Sequence, residues 1–182
     1  MAEDEWVTIL PSFNHPTMHF ISGDIGPFEV SIPINVPLWL AITLKKRKMC
    51  NIKPPSWMTT ENIRSLVQRE KSLEGFQQLP SLHLMEISFE ILKYASEDLI
   101  ASNEKDIDEL RVAIEDLFYI RNHKIRNGFV TLGTEDISLS SIKLNGIQSM
   151  ELNNIRPIFT ETLQVLAEFD KHIDSTFQAK KF

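Results

Sequence analysis

Cysteine occurs once in this sequence, at Cys50. That excludes an internal disulfide and any zinc centre built on several thiolates. The five histidines, His15, His19, His83, His123 and His172, share no ligand spacing, and no His-Glu-x-x-His occurs. Phosphate loops of the Gly-x-x-x-x-Gly-Lys-Ser/Thr or Gly-x-Gly-x-x-Gly type are missing. The pair Gly23-x-x-Gly26 leads into Pro27 and Phe28 rather than an apolar helix, so it reads as a turn. Asp106, Asp108, Glu109, Glu115 and Asp116 lack the glycine and terminal glutamate of a calcium loop and read as a solvated helix face. The longest apolar stretch, Val36 to Leu44, falls well short of the ~20 residues that cross a bilayer. The first residues, Met1-Ala2-Glu3-Asp4-Glu5, are acidic where a secretory signal is basic and then apolar. There is no Asn-x-Ser/Thr acceptor. The expectation is a protein of a reducing, intracellular compartment, with no cofactor, no metal and no membrane partner. Cys50 follows a basic run that would lower a thiol pKa. With no histidine nearby in sequence, it reads as a structural thiol rather than a nucleophile.

A basic excess is also missing. The net charge of −6 argues against a dedicated nucleic-acid binder, whose affinity rests on neutralising phosphates. Residues 1–58 carry five acids and five bases, and residues 59–182 carry twenty and fourteen, so the whole acidic excess lies in the second part. Much of it falls between Glu97 and Asp116, read as a solvated loop and helix face that can also front a partner. The one concentrated basic run is Lys45-Lys46-Arg47-Lys48. Three roles are open to it: complementing a helix C-terminus, meeting an acidic partner, or serving nuclear import or a phosphate contact. Four charges hold DNA only weakly at physiological salt.

What is present is an ordinary globular composition: 182 residues, 42% apolar and 24% charged. A fold of this size buries roughly 70% of the surface its unfolded chain exposes and needs no staple. Trp6, Thr8 and Leu10 alternate with Val7 and Ile9 up to Pro11, which predicts a short strand. Met18 to Ser22 predicts a second. Gly23-Asp24 and Gly26-Pro27 predict turns. Phe28 to Val36 predicts extended structure that Pro33 confines to an edge or bulge. A short helix is expected from Pro37, apolar on nearly all sides over Leu38 to Leu44 and therefore buried on more than one. Lys53-Pro54-Pro55-Ser56 reads as a stiff link. The expected fold class is α+β, mainly α: a small β-rich domain over 1–58, then an α-helical bundle domain over 59–182.

In that second part, Thr59 or Thr60 caps a helix to about Ser72 with Ile63, Leu66 and Val67 on one face. A second helix is predicted from Pro80-Ser81 to about Glu97, with Met85, Phe89, Leu92 and Ala95 as its stripe. A third runs from about Lys105 to Arg126 over Ile107, Leu110, Ile114, Leu117 and Phe118, and Asn127-Gly128 ends it. Residues 127–146 read as loop, with room for a short strand around Ile137 to Leu144. A last helix spans about Ile147 to Ile173, burying Met150, Ile155, Phe159, Leu163, Leu166 and Phe169. Several helices carry apolar residues beyond one stripe: Leu82, Leu84, Ile87 and Ile91 on the second, Leu152, Ile158 and Val165 on the last. A bundle needs one buried face per helix. Each further large side chain gains roughly 1.5–3 kcal/mol by being covered. Either a partner covers them or the chain has a thick core of its own.

The segment Gly23-Asp24-Ile25-Gly26-Pro27-Phe28, then Val36-Pro37-Leu38-Trp39-Leu40-Ala41-Ile42, then the basic run to Cys50, then Pro54-Pro55-Ser56-Trp57-Met58, closely resembles the signature of the subunit-two family of the eukaryotic GINS complex. Leu79-Pro80-Ser81 with Met85-Glu86, Tyr94-Ala95-Ser96-Glu97, Leu110-Arg111 through Ile125-Arg126, and Met150-Glu151-Leu152-Asn153 resemble the helices that follow. Residues 127–146 depart most from the pattern. The resemblance implies a small N-terminal β-domain and a larger α-domain. It implies one subunit of a four-protein complex packed through its helical domains. In that family the complex joins the cell-division-cycle protein and the minichromosome-maintenance ring as the replicative DNA helicase, where ATP hydrolysis belongs to the ring.

The expectation is therefore a non-catalytic structural subunit acting in the nucleus, touching DNA at most indirectly. Candidate interface residues are Asp24, Pro27, Phe28, Trp39, Lys45, Lys46, Arg47, Lys48, Trp57, Leu84, Ile87, Ile91, Leu152, Ile158 and Val165. Tryptophan is favoured at interface hot spots and is also common core material. A rival reading is a nucleic-acid-binding adaptor that uses Lys45 to Lys48 with Trp39 or Trp57 as stacking groups. An enzyme is the remotest reading, since no constellation supports one.

Overall fold

The computed structural model describes residues 2–101, 107–132, 145–158, 160–161 and 164–165. The chain opens with a 3-10 turn and five short strands: β1 (Trp6–Pro11), β2 (Met18–Phe20), β3 (Gly23–Ile25), β4 (Ile34–Pro37) and β5 (Cys50–Lys53), with α1 (Leu38–Lys46) set between β4 and β5. Helices follow: α2 (Thr60–Ser72), α3 (Leu84–Tyr94), α4 (Ser96–Ala101) and α5 (Ile107–Leu132). Residues 149–158 form a further helix, α6. The α+β, mainly helical class expected from the sequence is the observed one.

β1 is the centre of a three-stranded antiparallel sheet in the order β4-β1-β5. Its alternation sets the register. Val7 stands opposite Val36, Ile9 opposite Ile34 and Ile52, and Pro11 opposite Cys50, which makes one apolar face. α1 lies between this sheet and α3, and that position explains its apolar circumference: Leu38, Leu40, Ala41, Ile42 and Leu44 are all buried. The apolar core continues without a break from the sheet through α1 into α2, α3 and α5.

Several boundaries differ from the sequence expectation. Pro37 is not the first helical residue: it ends β4 and caps α1 in an extended conformation. Cys50 to Lys53, where the sequence predicts no element before the link that begins at Lys53, is strand β5, because Cys50 and Ile52 supply buried alternates opposite β1. Gly23-Asp24 is strand rather than turn, and the reversal falls one step earlier, at Ile21-Ser22. Gly26, at φ +127°, approaches Thr17 so closely that an added Cβ would stand 2.9 Å from its Cα. The expected helix over 80–97 begins only at Leu84 and breaks at Ala95, whose backbone leaves helical geometry and redirects α4. α5 runs through Asn127-Gly128 to Leu132. Glycine inside a helix costs only about 1 kcal/mol relative to alanine, too little to stop a helix anchored by a packed stripe. The predicted strand at Ile137 to Leu144, and Phe159, Leu163, Leu166 and Phe169, lie outside the described residues.

Candidate functional site: an apolar helical groove and the polar joints behind it

Two buried polar joints fix the helices that carry the exposed surface. The first crosses from the sheet unit to the helices. Asp98, in α4, accepts a bond from Lys45 Nζ at 2.6 Å and, through its other oxygen, from the Ile52 backbone N–H at 2.7 Å. It thereby neutralises a cation and satisfies a donor on edge strand β5. Both side chains are largely out of water, at 13% and 9% exposure. Asp98 was expected on a solvated tract; the break at Ala95 turns it inward instead.

The second joint is centred on Arg121 of α5, which is fully buried. Its guanidinium donates to Glu151 of α6 at 2.6 and 2.8 Å, to Glu70 of α2 at 3.1 Å and to the Gly146 carbonyl at 2.7 Å. Lys124 adds bonds to the Glu70 carboxylate at 3.0 Å and to its carbonyl, and to the carbonyls of Leu73 and Gly75. Burial alone would depress the Arg121 pKa, but Glu151 and Glu70 outweigh it and hold the guanidinium above its usual range. Glu151 also accepts from the Gln148 N–H at 2.8 Å, closing the first turn of α6. The arginine and one of the two carboxylates of this joint are recognisable in sequence by their placement. Arg121 continues the stripe Ile114, Leu117, Ile125; Glu70 continues Ile63, Leu66, Val67. A charge on an apolar stripe is the sequence signal of such a joint, and the expectations drawn from periodicity alone do not include it.

Against this frame the candidate residues fall into groups. Leu84, Ile87 and Ile91 are buried within the chain against α1 and α5, so these apolar faces of α3 are core, not offered surface. Phe28 is buried as well, stacked on Phe13 with ring centroids 5.4 Å apart, and its backbone pairs with His15. Trp39 packs edge-on against Phe20, and Trp57 is half-buried against the core. Asp24 is exposed and faces its strand partner His19 at 2.7 Å. Pro27 is exposed after a cis bond. The basic run does not act as one patch. Lys45 is half-buried on Asp98, whereas Lys46, Arg47 and Lys48 are exposed at the end of α1, with Lys46 Nζ 4.2 Å from the centre of the Tyr94 ring.

Leu152, Ile158 and Val165 are exposed, as are Leu82 on the approach to α3 and Tyr119 of α5. Here the surplus of apolar side chains stays on the outside. α5 and α6 enclose a groove of about 800 Å³ lined by Phe118, Tyr119, Asn122, His123, Ile125, Asn154, Ile155 and Ile158, with Glu115 and Arg126 at its ends. Tyr119, at 71% exposure, stacks on His123 one turn on. The groove combines the aromatic rings of Phe118 and Tyr119 with a polar margin, a mix that is enriched at protein interfaces. A shallower hollow of about 430 Å³ between α2 and α5 is lined mainly by charged side chains, among them the exposed pair Arg64–Glu109. Among the described residues no cluster of histidine, cysteine or carboxylate side chains could hold a metal ion, and no helix is long and apolar enough to cross a membrane.

Residues 1–53 match a family model described as the PSF2 N-terminal domain, and residues 57–170 match the GINS complex protein helical bundle domain. The chain is similar to a DNA replication complex GINS protein PSF2 of Xenopus laevis, 39% identical over 90% of this chain and 84% of that one. It is 34% identical to a protein of the same description from Homo sapiens, again over 90% and 84%. Identity to the Schizosaccharomyces pombe relative is 29%, over 90% and 83%. With both matched segments in sequence order and most of each relative covered, the chain belongs to the PSF2 family of GINS complex proteins.

Proposed function

We propose that this chain is a non-catalytic structural subunit of a four-protein GINS complex in DNA replication, acting in the nucleus as part of the replicative helicase. Its partners are the other three GINS subunits and, through them, the minichromosome-maintenance ring and its cell-division-cycle protein. The names of its relatives support the GINS and replication parts of this reading. The observation that carries the structural role is the exposed apolar surface of α5 and α6, rigidly backed by the Arg121 joint. The Arg121–Glu70–Glu151 constellation is sealed from solvent and holds three helices together, which suits a scaffold. Assembly would cover the groove within obligate interfaces on the order of 2,000–5,000 Å². We assign the sheet unit to residues 1–58 and the bundle to 59–182 as parts of one rigid subunit. The change from strands to helices at Thr60 and the Lys45–Asp98 joint support that assignment. Co-expression with the three other GINS subunits tests it. A stoichiometric complex that survives gel filtration at moderate salt is expected, and a stable monomer that ignores those subunits would refute the reading.

A further inference from the structure

We propose that the ends of α1 and α3 form a basic cradle, built by Lys46, Arg47, Lys48 and Lys93 around Tyr94, that binds an acidic segment of a partner protein. The cradle is composite, and the run of bases in the sequence shows only part of it. α1 ends at Lys46 and α3 at Tyr94. Lys46 Nζ lies 4.2 Å, and Lys93 Nζ 4.8 Å, from the centre of the Tyr94 ring. The two ammoniums therefore stand no more than about 9 Å apart. They repel each other at that range, since screening by physiological salt acts over about 8–10 Å. Hydrogen bonding to Lys93, and then to Lys46, holds the Tyr94 phenol below the usual tyrosine range against the desolvation that would raise it. Lys46, Arg47, Lys48 and Lys93 are all exposed. Glu90 is the acid that acts on Lys93. Among the described residues, the ion pair at this end of α1 is made by Lys45 with Asp98, not by any of these four.

Helix-end electrostatics do not account for so many cations. A helix C-terminus presents roughly half a negative charge, which one base answers. Its carbonyls are also closed by the backbone: the Met49 N–H bonds the Leu44 carbonyl at 3.0 Å, and the Lys48 N–H bonds that of Lys45 at 2.8 Å. This closure leaves Lys48 at φ +58°, in the position that glycine normally fills. Lysine there carries backbone strain that glycine avoids, and it adds a cation to the cradle. An incoming anion relieves the mutual repulsion of the four bases. Nucleic acid is the poorer fit. Its affinity rests on neutralising many phosphates, and the net charge of −6 repels a long polyanion beyond the cradle. Bases stack on open aromatic faces, whereas the Tyr94 ring is already engaged by two ammoniums. A few neighbouring Asp or Glu side chains match the cradle in both charge and extent, and lysine ammoniums meet carboxylates as point charges without a fixed geometry.

Fluorescence anisotropy of the full chain with a fluorescein-labelled hexaglutamate peptide tests this. Binding is expected at low salt and should weaken as salt rises. Lys46→Gln combined with Lys93→Gln should weaken it at least tenfold. Arg69→Gln combined with Lys71→Gln, an equal loss of charge on α2, should leave it unchanged. Lys48→Gly should weaken it severalfold, although it relieves backbone strain and should raise the melting temperature by about 2–4 °C. Four results would each overturn the proposal: no binding of the peptide at low salt, equal weakening by the two double variants, unchanged binding in Lys48→Gly, or an oligothymidylate or DNA duplex of equal charge binding as tightly as the peptide.

Discussion

Lys45 Nζ stands 2.6 Å from Asp98 Oδ1, and this contact ties the last turn of α1 to the first turn of α4. The two partners are not equivalent. Lysine has a long stem and can lift its charge toward water when its partner is removed; aspartate is too short to do so. Lys45→Met should therefore be the more damaging change at neutral pH, at about 3–5 kcal/mol, because it removes the cation that neutralises a largely buried carboxylate. Asp98→Ala should cost about 1–3 kcal/mol, chiefly through the unsatisfied Ile52 N–H. Asp98→Asn, which can still accept that N–H, should fall below both. Urea unfolding of the three variants gives the order directly, and an equal cost for all would mean that the pair is only a surface contact.

The Arg121 joint makes a sharper demand. Replacing Arg121 by Met leaves Glu151 without a cation and Glu70 with Lys124 alone, all in a site closed to water. A loss of about 3–5 kcal/mol is expected. Arg121→Lys should recover little of it, because one ammonium cannot reach Glu151, Glu70 and the Gly146 carbonyl together. The double variant Arg121→Met with Glu151→Met should be less destabilised than the two single losses added. Additive losses in a thermal or urea cycle would show that the two side chains act independently.

Gly146 sits at φ +77°, and a Cβ there would meet the Phe76 carbonyl oxygen at 2.9 Å. Its own carbonyl is held by Arg121. Backbone strain and the clash act in the same direction, so Gly146→Ala should lose on the order of 1–3 kcal/mol. The damage should concentrate on α6: amide hydrogen exchange ought to rise over residues 149–158 and stay unchanged in the sheet. Uniform acceleration throughout the chain would count against a local role for this turn.

The parts of the fold that could be read from sequence are those with a clear period. The alternation at Trp6 to Pro11 and the stripe Ile63, Leu66, Val67 yield β1 and α2, with Thr59 as the cap, its side chain accepting the Asn62 N–H. Strand β5 has only Cys50 and Ile52 to mark it, a period too short to separate from a linker before two prolines. Burial was harder still. Leu84, Ile87 and Ile91 are surplus to a bundle of the second part alone, but α1, from the first part of the chain, packs directly on α3 and belongs to the same core. The exposed Leu152, Ile158 and Val165 carry the same residue types on the same period. Composition cannot distinguish a face covered by the chain from one left open, because that depends on which helix lies beside it. The groove itself needed both the length of α5 and the start of α6.

Cys50 is buried beneath α1, and burial raises its pKa from 9.0 to about 11, with Lys45 opposing and Asp98 assisting. The folded chain favours the neutral thiol. Its contribution to stability is complete below the unfolded-state value and declines as pH rises above it. At pH 8 the thiolate fraction should be roughly 100-fold below that of an unfolded cysteine. A thiol reagent should accordingly label Cys50 only as fast as the sheet unit opens, and labelling should accelerate steeply through the urea transition. Rapid stoichiometric labelling of the native chain would mean that the α1–β5 contact is loose.

The division between covered and open apolar faces can be tested with two leucines. Leu84 has no exposed surface, and Leu84→Ala should cost about 2–5 kcal/mol in the isolated chain through the cavity it leaves. Leu152 is 39% exposed, and Leu152→Ala should change the stability of the isolated chain by no more than about 0.5 kcal/mol. Their effects on the GINS complex should differ in kind. Loss of Leu84 should lower complex yield only as far as it lowers the folded fraction of the subunit. Loss of Leu152 should weaken the complex although the subunit is fully folded, because the solvent-facing side of α6 is the surface the partners are expected to cover. Melting curves of each isolated variant, set beside its dissociation from the co-expressed complex, separate the two effects. A Leu152 variant neutral in both measurements would remove this side of α6 from the interface.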